Sequence, residues 1–368
     1  MVTVSWACDA WQTGSVTVRL SRAEAQERNR ARVLDAARAE FVERGFRDAK
    51  IDTIAQRAEL TRGAVYSNFP GKRALYFAVL ADLAERAAAP ANPQRGADRR
   101  AALGALARAW VTSLSHDALA RDFLPEVAAE EVTRRPFTQL MKLDAVLLSL
   151  ALEALDPAVP PPGSPPARVV RLAEIVLATL HGASGLATAA PGFLEPFDVV
   201  SACEQLAGLE LNDWWSAPPG AAVLREDRPW TPPAAVDLVR GAEVTPDEDG
   251  VVVVLGLNRL AAVEEAVRAT GGRVTLAMVT GTPGELAPLA RLVLARLCVG
   301  LRQSFPVTAW PRLRVVCDDA GAVAAAAGVP SVSDETETAI RVEGGRVVAR
   351  AEGSGAGHAV SSGARVRT

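Results

Sequence analysis

The sequence predicts a multidomain protein with an all-helical N-terminal part followed by an α/β domain. Apolar residues recur every three or four positions through residues 23–215, which is the period of amphipathic helices. A β-branched run at 251–257 then begins an alternation of strands and helices, which is typical of a separate α/β domain. With 368 residues the chain is also too long for one compact core.

The composition is that of a soluble globular protein, with 49% hydrophobic and 23% charged residues. No apolar run approaches the roughly 20 residues that span a bilayer, and the N-terminus does not resemble a signal peptide. We therefore expect a cytoplasmic protein without a membrane partner. The four cysteines are widely separated and form neither a CxxC pair nor a metal-type pair, so we expect reduced, mostly buried thiols and no metal or other cofactor.

Charge is distributed unevenly along the chain. Residues 1–80 carry 13 Lys and Arg against nine Asp and Glu, a net charge of +4, whereas the remainder carries −7. Only the N-terminal part therefore has the sign expected of a surface that contacts phosphates.

The first 80 residues contain four predicted helices after an arm. Residues 1–22 show no periodicity and are predicted to be a mobile arm; the alternative is that the protein starts at Val16 and residues 1–15 do not belong to it. Residues 23–80 form the next domain, with helices at 24–45, 50–58, 61–69 and from 72 to about 88. Gly45 suits a left-handed helix end, Thr61 can cap the third helix, and Pro70 ends it.

The remaining boundaries follow from proline-rich segments. Residues 81–215 are predicted to form a helical domain, with helices at 101–115, 118–131, 136–155, 168–189 and 199–215 and a loop at 156–166. A linker at 216–235 precedes an α/β domain at 236–360 and a tail at 361–368. No strand is predicted before residue 240. Strands are predicted at 251–257, 274–279 and 313–317, with a hairpin of 338–342 and 346–351 around Gly344-Gly345.

The segment "FVERGFRDAKIDTIAQRAELTRGAVYSNFPGKRALYFAVL", residues 41–80, carries the clearest functional signal. Three short helices with an exposed polar third helix form a helix-turn-helix, whose third helix enters the major groove of DNA. Over its whole length the segment resembles the DNA-binding domain of the TetR family. The resemblance implies a sequence-specific transcriptional regulator that binds double-stranded operator DNA.

Arg62 can present its planar guanidinium to the O6 and N7 atoms of guanine, and the small Gly63 and Ala64 allow close approach to the bases. The resemblance places Tyr66 and Asn68 on phosphates. The full predicted DNA-binding set is Lys50, Thr61, Arg62, Gly63, Ala64, Tyr66, Ser67, Asn68 and Lys72. Two alternatives stay open, because Tyr66 also suits the core of the bundle and Lys50 a solvated surface.

The segment departs from the family pattern at two places that affect these assignments. Ala49 stands where Thr or Ser commonly caps the second helix, so we expect Asp48 to cap it instead. Glu59 replaces a Gly in the turn, at a position that favours left-handed geometry.

The resemblance also implies a helical domain that binds a small-molecule effector and forms a homodimer through helices 168–189 and 199–215. Both helices suit an intramolecular core as well. Aromatic, methionine and histidine residues are candidates to line the effector pocket, although each also suits plain core: Trp110, His116, Phe123, Phe137, Met141 and His181.

Residues 248–358 resemble thioredoxin-like proteins of the peroxiredoxin and redoxin type. The reactive cysteine of such proteins is replaced by Asn258-Arg259-Leu260, and Glu337 takes the position of their cis-proline. Without a thiolate we expect a binding module rather than an oxidoreductase. A nucleotide-binding α/β unit is a weaker alternative, because no glycine-rich loop follows residues 251–257.

Together these features predict a transcriptional repressor released by an effector, and not an enzyme. The alternatives are a thiol peroxidase fused to a DNA-binding module and a redox-responsive regulator that uses Cys298 or Cys317. The proline-rich linker further predicts that a fragment ending near Ala217 folds and dimerises alone.

Overall fold

A computed structural model describes residues 21–87, 93–116, 118–156 and 168–362 of the chain. The predicted arm up to residue 20, most of the predicted loop at 156–166 and residues 363–368 of the tail lie outside this description. The described residues form a helical N-terminal part and a C-terminal part with a mixed sheet.

The first part begins with four helices: α1 (Arg22–Asp48), α2 (Ile51–Arg57), α3 (Arg62–Asn68) and α4 (Lys72–Glu85). Ser21 and Glu24 form a capping box at the start of α1, in which each side chain accepts a backbone N–H of the other residue. Gly45 has a φ of 71° near the end of α1. The Thr61 hydroxyl accepts the Ala64 N–H at 3.2 Å, so the predicted cap of α3 is confirmed.

A second set of helices follows: α5 (Arg99–His116), α6 (Phe123–Ala128), α7 (Glu131–Leu155), α8 (Val170–Ala189) and α9 (Pro196–Leu206). The predicted helix 118–131 is instead a 3-10 turn, Ala118–Asp122, followed by α6. The prediction that the last helix reaches Trp215 is wrong, because α9 ends at Leu206. The chain after it is extended, which allows the Asp213 carboxylate to accept the Val170 N–H at the start of α8 and to pair with Arg268.

Eight strands form the sheets of the C-terminal part: β1 (Val223–Pro229), β2 (Ala235–Asp237), β3 (Ala242–Val244), β4 (Gly250–Gly256), β5 (Val274–Val279), β6 (Arg314–Cys317), β7 (Glu337–Glu343) and β8 (Arg346–Glu352). The main sheet has the order β1-β8-β7-β4-β5-β6, and β2 pairs with β3. Strands β4, β5 and β6 are parallel, whereas β7, β8 and β1 are joined by antiparallel pairing. The predicted hairpin turn is confirmed, with φ of 56° and 70° at Gly344 and Gly345.

The expectation that no strand precedes residue 240 is wrong, because β1 and β2 fall within or across the segment predicted as a linker. Strand β1 is an edge strand with charged, exposed side chains and an irregular register between Arg225 and Arg228. An edge strand of this kind lacks the apolar alternation by which strands are identified in a sequence.

Four further helices complete this part: α10 (Val263–Ala269), α11 (Pro283–Ser304), α12 (Ala322–Ala326) and α13 (Ala356–Ser361). Alternate residues of β4 enter two different cores, as the period of a strand requires. Val251, Val253 and Leu255 belong to a core that includes residues of α10, α11 and α13. Val252 and Val254 pack in a smaller core with Trp230 and residues of α12.

Helix α11 belongs to both parts of the chain. It lies against α4, α5 and α7, and the larger core runs without a break from the helix-turn-helix to the sheet. Gly300 makes this approach possible, because a Cβ atom there would lie 2.8 Å from Leu106 Cδ1. At the two ends of α11, the ring of Pro70 lies close to Gly284, and the Ser304 carbonyl accepts the Gly96 N–H at 2.9 Å.

Helix α8 is long and apolar enough, by length and composition alone, to cross a membrane. The expectation that no apolar segment reaches this length did not include it. Its most apolar window has a mean hydropathy of 1.3 and is 33% buried within the chain. Core helices of soluble proteins meet the same criterion, so this feature alone is weak evidence for a membrane span.

The position of α11 changes the expectation for a fragment that ends at Ala217. Such a fragment lacks α11 and would expose the apolar faces of α4, α5 and α7, so we expect its free energy of unfolding to fall by about 3 kcal/mol or more. Denaturation followed by circular dichroism, together with binding of a hydrophobic dye, measures the effect. Separately produced residues 218–362 should restore stability when they are added. A fragment as stable as the full chain would show that the two parts have independent cores.

Candidate nucleic-acid interface

Helix α3 presents most of the predicted DNA-binding residues to solvent. Its inner side is held by Val65 and by Phe69 at its C-terminal end, each only 1% exposed. The outer side and the N-cap carry the exposed or half-buried residues of the predicted set: Thr61, Arg62, Gly63, Ala64, Tyr66, Ser67 and Asn68. The prediction of an exposed, polar third helix therefore agrees with the structure.

The turn between α2 and α3 depends on an unusual backbone conformation. Glu59 has a φ of 51°, so the left-handed geometry expected at this position is confirmed. A side chain there costs roughly 1–2 kcal/mol relative to ordinary backbone. The Glu59 carboxylate pairs with Arg32 of α1 at 2.6 Å, but both side chains are well exposed and the pair offsets little of that cost.

Arg62 extends from the first turn of α3 into solvent. Its guanidinium lies 3.3 Å from the Asp52 carboxylate of α2 and 5.6 Å from the centre of the Tyr66 ring. The contact with Tyr66, and secondarily the charge of Asp52, raises the pKa of Arg62. Tyr66 is 41% exposed, so the alternative that it packs in the core is wrong. These contacts orient the guanidinium without burying it.

Ser67 and Asn68 use part of their hydrogen-bonding capacity within α3. The Ser67 hydroxyl and the Asn68 amide each donate to the Ala64 carbonyl, at 2.9 and 2.8 Å. Asn68 also lines a cleft between α1, α4 and α11, which includes Leu34 and Gly284. Ser67 is therefore the more accessible of the two to a ligand that approaches α3 from solvent.

The start of α2 is organised by a buried carboxylate. The expectation that Asp48 caps α2 is wrong, because Lys50 is the N-cap residue and no side chain caps it. Instead the Lys50 N–H donates to Glu40 Oε1 at 3.3 Å. Glu40 is fully buried and lies within 3.4 Å of the guanidinium groups of Arg44 and Arg57. The Lys50 side chain is exposed, so its ammonium is available to phosphates.

Lys72 has a structural role that the sequence did not reveal. Its ammonium donates to the carbonyl groups of Arg47 and Ala49, at 3.0 and 3.3 Å, and lies 4.6 Å from the centre of the Phe46 ring. These carbonyls belong to the last turn of α1 and to its C-cap residue, where a cation is stabilising. If Lys72 contacts a phosphate as predicted, its ammonium must bind the phosphate in addition to, or in place of, these two carbonyls.

Four of the six predicted effector-site residues form one aromatic cluster. The Trp110 and His181 ring centres are 4.9 Å apart, His181 and Phe137 6.3 Å, and Phe137 and Phe123 5.8 Å. Trp110 Nε1 donates to the Ser184 hydroxyl at 2.8 Å. Met141 is half-buried against the core, whereas the His116 side chain lies outside the described side chains.

Arg296 of α11 was not predicted to lie at this cluster. Its guanidinium carbon lies 5.2 Å from the centre of the Phe123 ring. Burial, with a smaller contribution from the charge of Arg296, lowers the pKa of His181 to about 4. His181 is therefore neutral at physiological pH. No local pattern relates Arg296 to the helical domain, because only the tertiary packing of α11 brings it there.

Arg259 and Glu337, two positions that the sequence comparison with redox proteins singled out, contact each other at the carboxyl end of β4. Arg259 Nε donates to Glu337 Oε2 at 2.8 Å, and the other Glu337 oxygen accepts the Gly355 N–H at 2.9 Å. Burial raises the pKa of the Cys298 thiol and raises that of Cys317 to about 12. Both thiols are therefore protonated at neutral pH, which disfavours thiolate chemistry.

The contacts of Lys72 predict that Lys72→Ala lowers the free energy of unfolding by about 1 kcal/mol, because α1 loses two hydrogen bonds from a charged donor. Urea denaturation measures the change. Lys50→Ala is the matched control, since the Lys50 side chain is exposed and has no partner among the described residues; it should change stability by less than about 0.5 kcal/mol. Equal stability of the two variants would contradict the structural role of Lys72.

Comparison with known proteins identifies a family match at this interface. Residues 33–79 match the family described as "Bacterial regulatory proteins, tetR family". The HTH-type transcriptional regulator SrpR of Pseudomonas putida is 43% identical over 81 residues, which are 22% of this chain and 38% of that protein. The uncharacterized HTH-type transcriptional regulator TtgW, also of Pseudomonas putida, is 43% identical over 81 residues, which are 22% of this chain and 60% of that protein.

The chain thus matches less than two thirds of the length of either relative. A TetR transcriptional regulator of known structure from Rhodococcus sp. RHA1 is 20% identical, covers 50% of this chain and 95% of its own, and superimposes with a TM-score of 0.36. The family match coincides with the helix-turn-helix described above. Residues 33–79 are therefore similar to the N-terminal domain of TetR-family transcriptional regulators.

Proposed function

We propose that the chain is a homodimeric transcriptional repressor that releases its operator when a small molecule binds. The observation that carries the proposal is the exposed α3, on which Arg62 is oriented by Asp52 and Tyr66 but left accessible to base edges. Regulators of this type are soluble, and we place this one in the cytoplasm.

Exposed apolar side chains on and after α8 and α9 support the homodimer. Ile175 of α8 is 42% exposed, Phe197 of α9 is 76% exposed, and Trp214 after α9 is 72% exposed. A second copy that covers these residues would also account for an apolar helix, α8, that is only one third buried within its own chain.

The aromatic cluster of Trp110, Phe123, Phe137 and His181 supports an effector site for a largely apolar molecule. Phe123 contacts Phe77 of α4, with ring centres 5.8 Å apart. An effector that moves Phe123 would therefore act on α4, which continues the chain from the recognition helix. A change in α4 alters the separation of the two recognition helices, which must match half-sites about 34 Å apart.

The C-terminal part is, in this proposal, a thioredoxin-like binding module without enzymatic activity. Parallel strands, an antiparallel hairpin and a closing helix support the resemblance noted in the sequence. The ion pair between Arg259 and Glu337 occupies the place where a redox protein needs a thiol. A thiol peroxidase is the competing function, and measurable peroxide consumption by the purified protein would favour it.

Arg62→Ala should weaken binding to the operator by about 1–3 kcal/mol and relax the preference at one base of each half-site. The operator is first selected from random DNA with the purified full chain, and affinities for operator and random DNA are then compared at fixed salt. Arg225→Ala, an exposed arginine on β1, is the control and should leave both affinities unchanged. An unchanged ratio of the two affinities in Arg62→Ala would refute the base-reading role.

Phe197→Asp should convert the dimer to a monomer, because a charge replaces an apolar side chain in the proposed interface. Sedimentation velocity measures the oligomeric state. Val307→Asp is the matched control, since Val307 is 61% exposed but lies in the C-terminal part. A wild-type protein that sediments as a monomer would contradict the proposed homodimer, and a Phe197→Asp variant that remains dimeric would place the interface elsewhere.

A further inference from the structure

We propose that a cleft at the amino ends of β4, β5 and β6 is an anion-binding site for the phosphate groups of a small molecule. The cleft has a volume of about 950 Å³ and is lined by Arg240, Arg273, Arg312 and Arg314, together with Glu248 and Asp249. The site is independent of the proposed repressor function, since it lies outside the helical part of the chain.

The cleft contains more positive than negative charge. Four guanidinium groups meet three carboxylates when Asp237, the partner of Arg240, is included, and Arg273 and Arg314 both pair with the same carboxylate, that of Glu248. Arg312 is exposed and has no ion-pair partner among the described residues. Burial, and then the charges of Arg314, Arg240 and Arg312, lower the pKa of Arg273. An anion bound in the cleft would neutralise this surplus.

Two of the arginines are held in place before any ligand binds. Arg240 donates to the Asp237 carboxylate at 2.7 Å and to the Pro311 carbonyl at 2.9 Å. Asp237 is fully buried and also accepts the N–H groups of Val239 and Val315. The Arg314 side chain is only 12% exposed. Because these side chains are already fixed, less conformational entropy is lost when they bind an anion.

At the cleft, the backbone of residues 250 and 251 lies close to the carbonyl group of Arg273. The Val251 N–H donates to the Arg273 carbonyl at 3.0 Å, which fixes the start of β5 beside β4. This approach requires glycine at position 250, where φ is 151° and a Cβ atom would lie 2.6 Å from the Arg273 carbonyl oxygen. Gly271 and Gly272 precede Arg273 and have no side chains that could fill the cleft.

Phosphate matches this arrangement better than other common anions. Guanidinium groups bind phosphate oxygens through paired, charge-assisted hydrogen bonds, and several arginines can share one phosphate or diphosphate. DNA bound at α3 is too far away to be the ligand. Helix α11 begins next to Pro70 of the helix-turn-helix. Near its other end, Arg302 donates to the Leu238 carbonyl close to the cleft. The 22 residues of α11 span about 33 Å.

The test measures binding of phosphate and pyrophosphate to the full chain by calorimetry, with sodium sulfate at equal ionic strength as a control for screening. ADP serves as an organic diphosphate and a random DNA duplex as the nucleic-acid probe. We expect pyrophosphate and ADP to bind and to raise the melting temperature. Arg312→Gln should weaken their affinity about tenfold or more, since one charged hydrogen-bonding group is lost.

Arg225→Gln is the matched control and should bind like the wild type. Because Arg312 makes no ion pair with the described residues, Arg312→Gln should melt no lower than the wild type without ligand, which separates loss of the site from loss of the fold. The proposal is overturned if millimolar phosphate, pyrophosphate and ADP do not bind, or if sulfate raises the melting temperature equally. Equal binding by Arg312→Gln, or binding at the cleft by DNA alone, overturns it as well.

Discussion

The packing of α11 against α4 is the contact on which the arrangement of the whole chain depends. Helix α11 carries buried leucines along its length, among them Leu286, Leu289 and Leu294, so it is apolar around most of its surface. Such a helix is stable only when it is covered on several sides. It shares one hydrophobic core with the sheet, and α4, α5 and α7 lie against it. Separating the two parts would expose the apolar surfaces of both. Helix α4, which follows the recognition helix, and α11 of the α/β part therefore form one packed unit.

This packing gives the C-terminal part a direct mechanical link to the helix-turn-helix. Helix α4 begins at Lys72, whose ammonium holds the end of α1, and the Tyr76 ring of α4 packs on Phe41 and Phe46. Densely packed interiors do not deform continuously, so a displaced α11 must either carry α4 with it or open the core. In the proposed repressor, an event in either part would therefore be transmitted through α4.

The sequence was sufficient where the determinants are local. Thr61, Pro70 and the left-handed Glu59 act within a few residues of themselves, so α3 and its exposed surface could be predicted. The charged edge strand β1 could not, because it is defined by pairing with β8, more than a hundred residues away. Apolar periodicity likewise predicts that α11 is buried but not what covers it. For the same reason Trp110 and His181 could be predicted as candidates, whereas Arg296 could not.

The two ends of the parallel strands have different roles in this chain. In open α/β sheets, ligands commonly bind at the carboxyl ends of the strands. Here α7 covers that edge: Gln139 accepts the Ala261 N–H at 2.9 Å, and Arg135 pairs with Glu335 at 2.9 Å. The ion pair between Arg259 and Glu337 lies at the same edge. These contacts fasten the sheet to the helical part. The side chains that make them are therefore not available to bind a ligand. Accessible, unpaired charge is then found at the opposite edge, where Arg312 and its neighbours surround an open cleft.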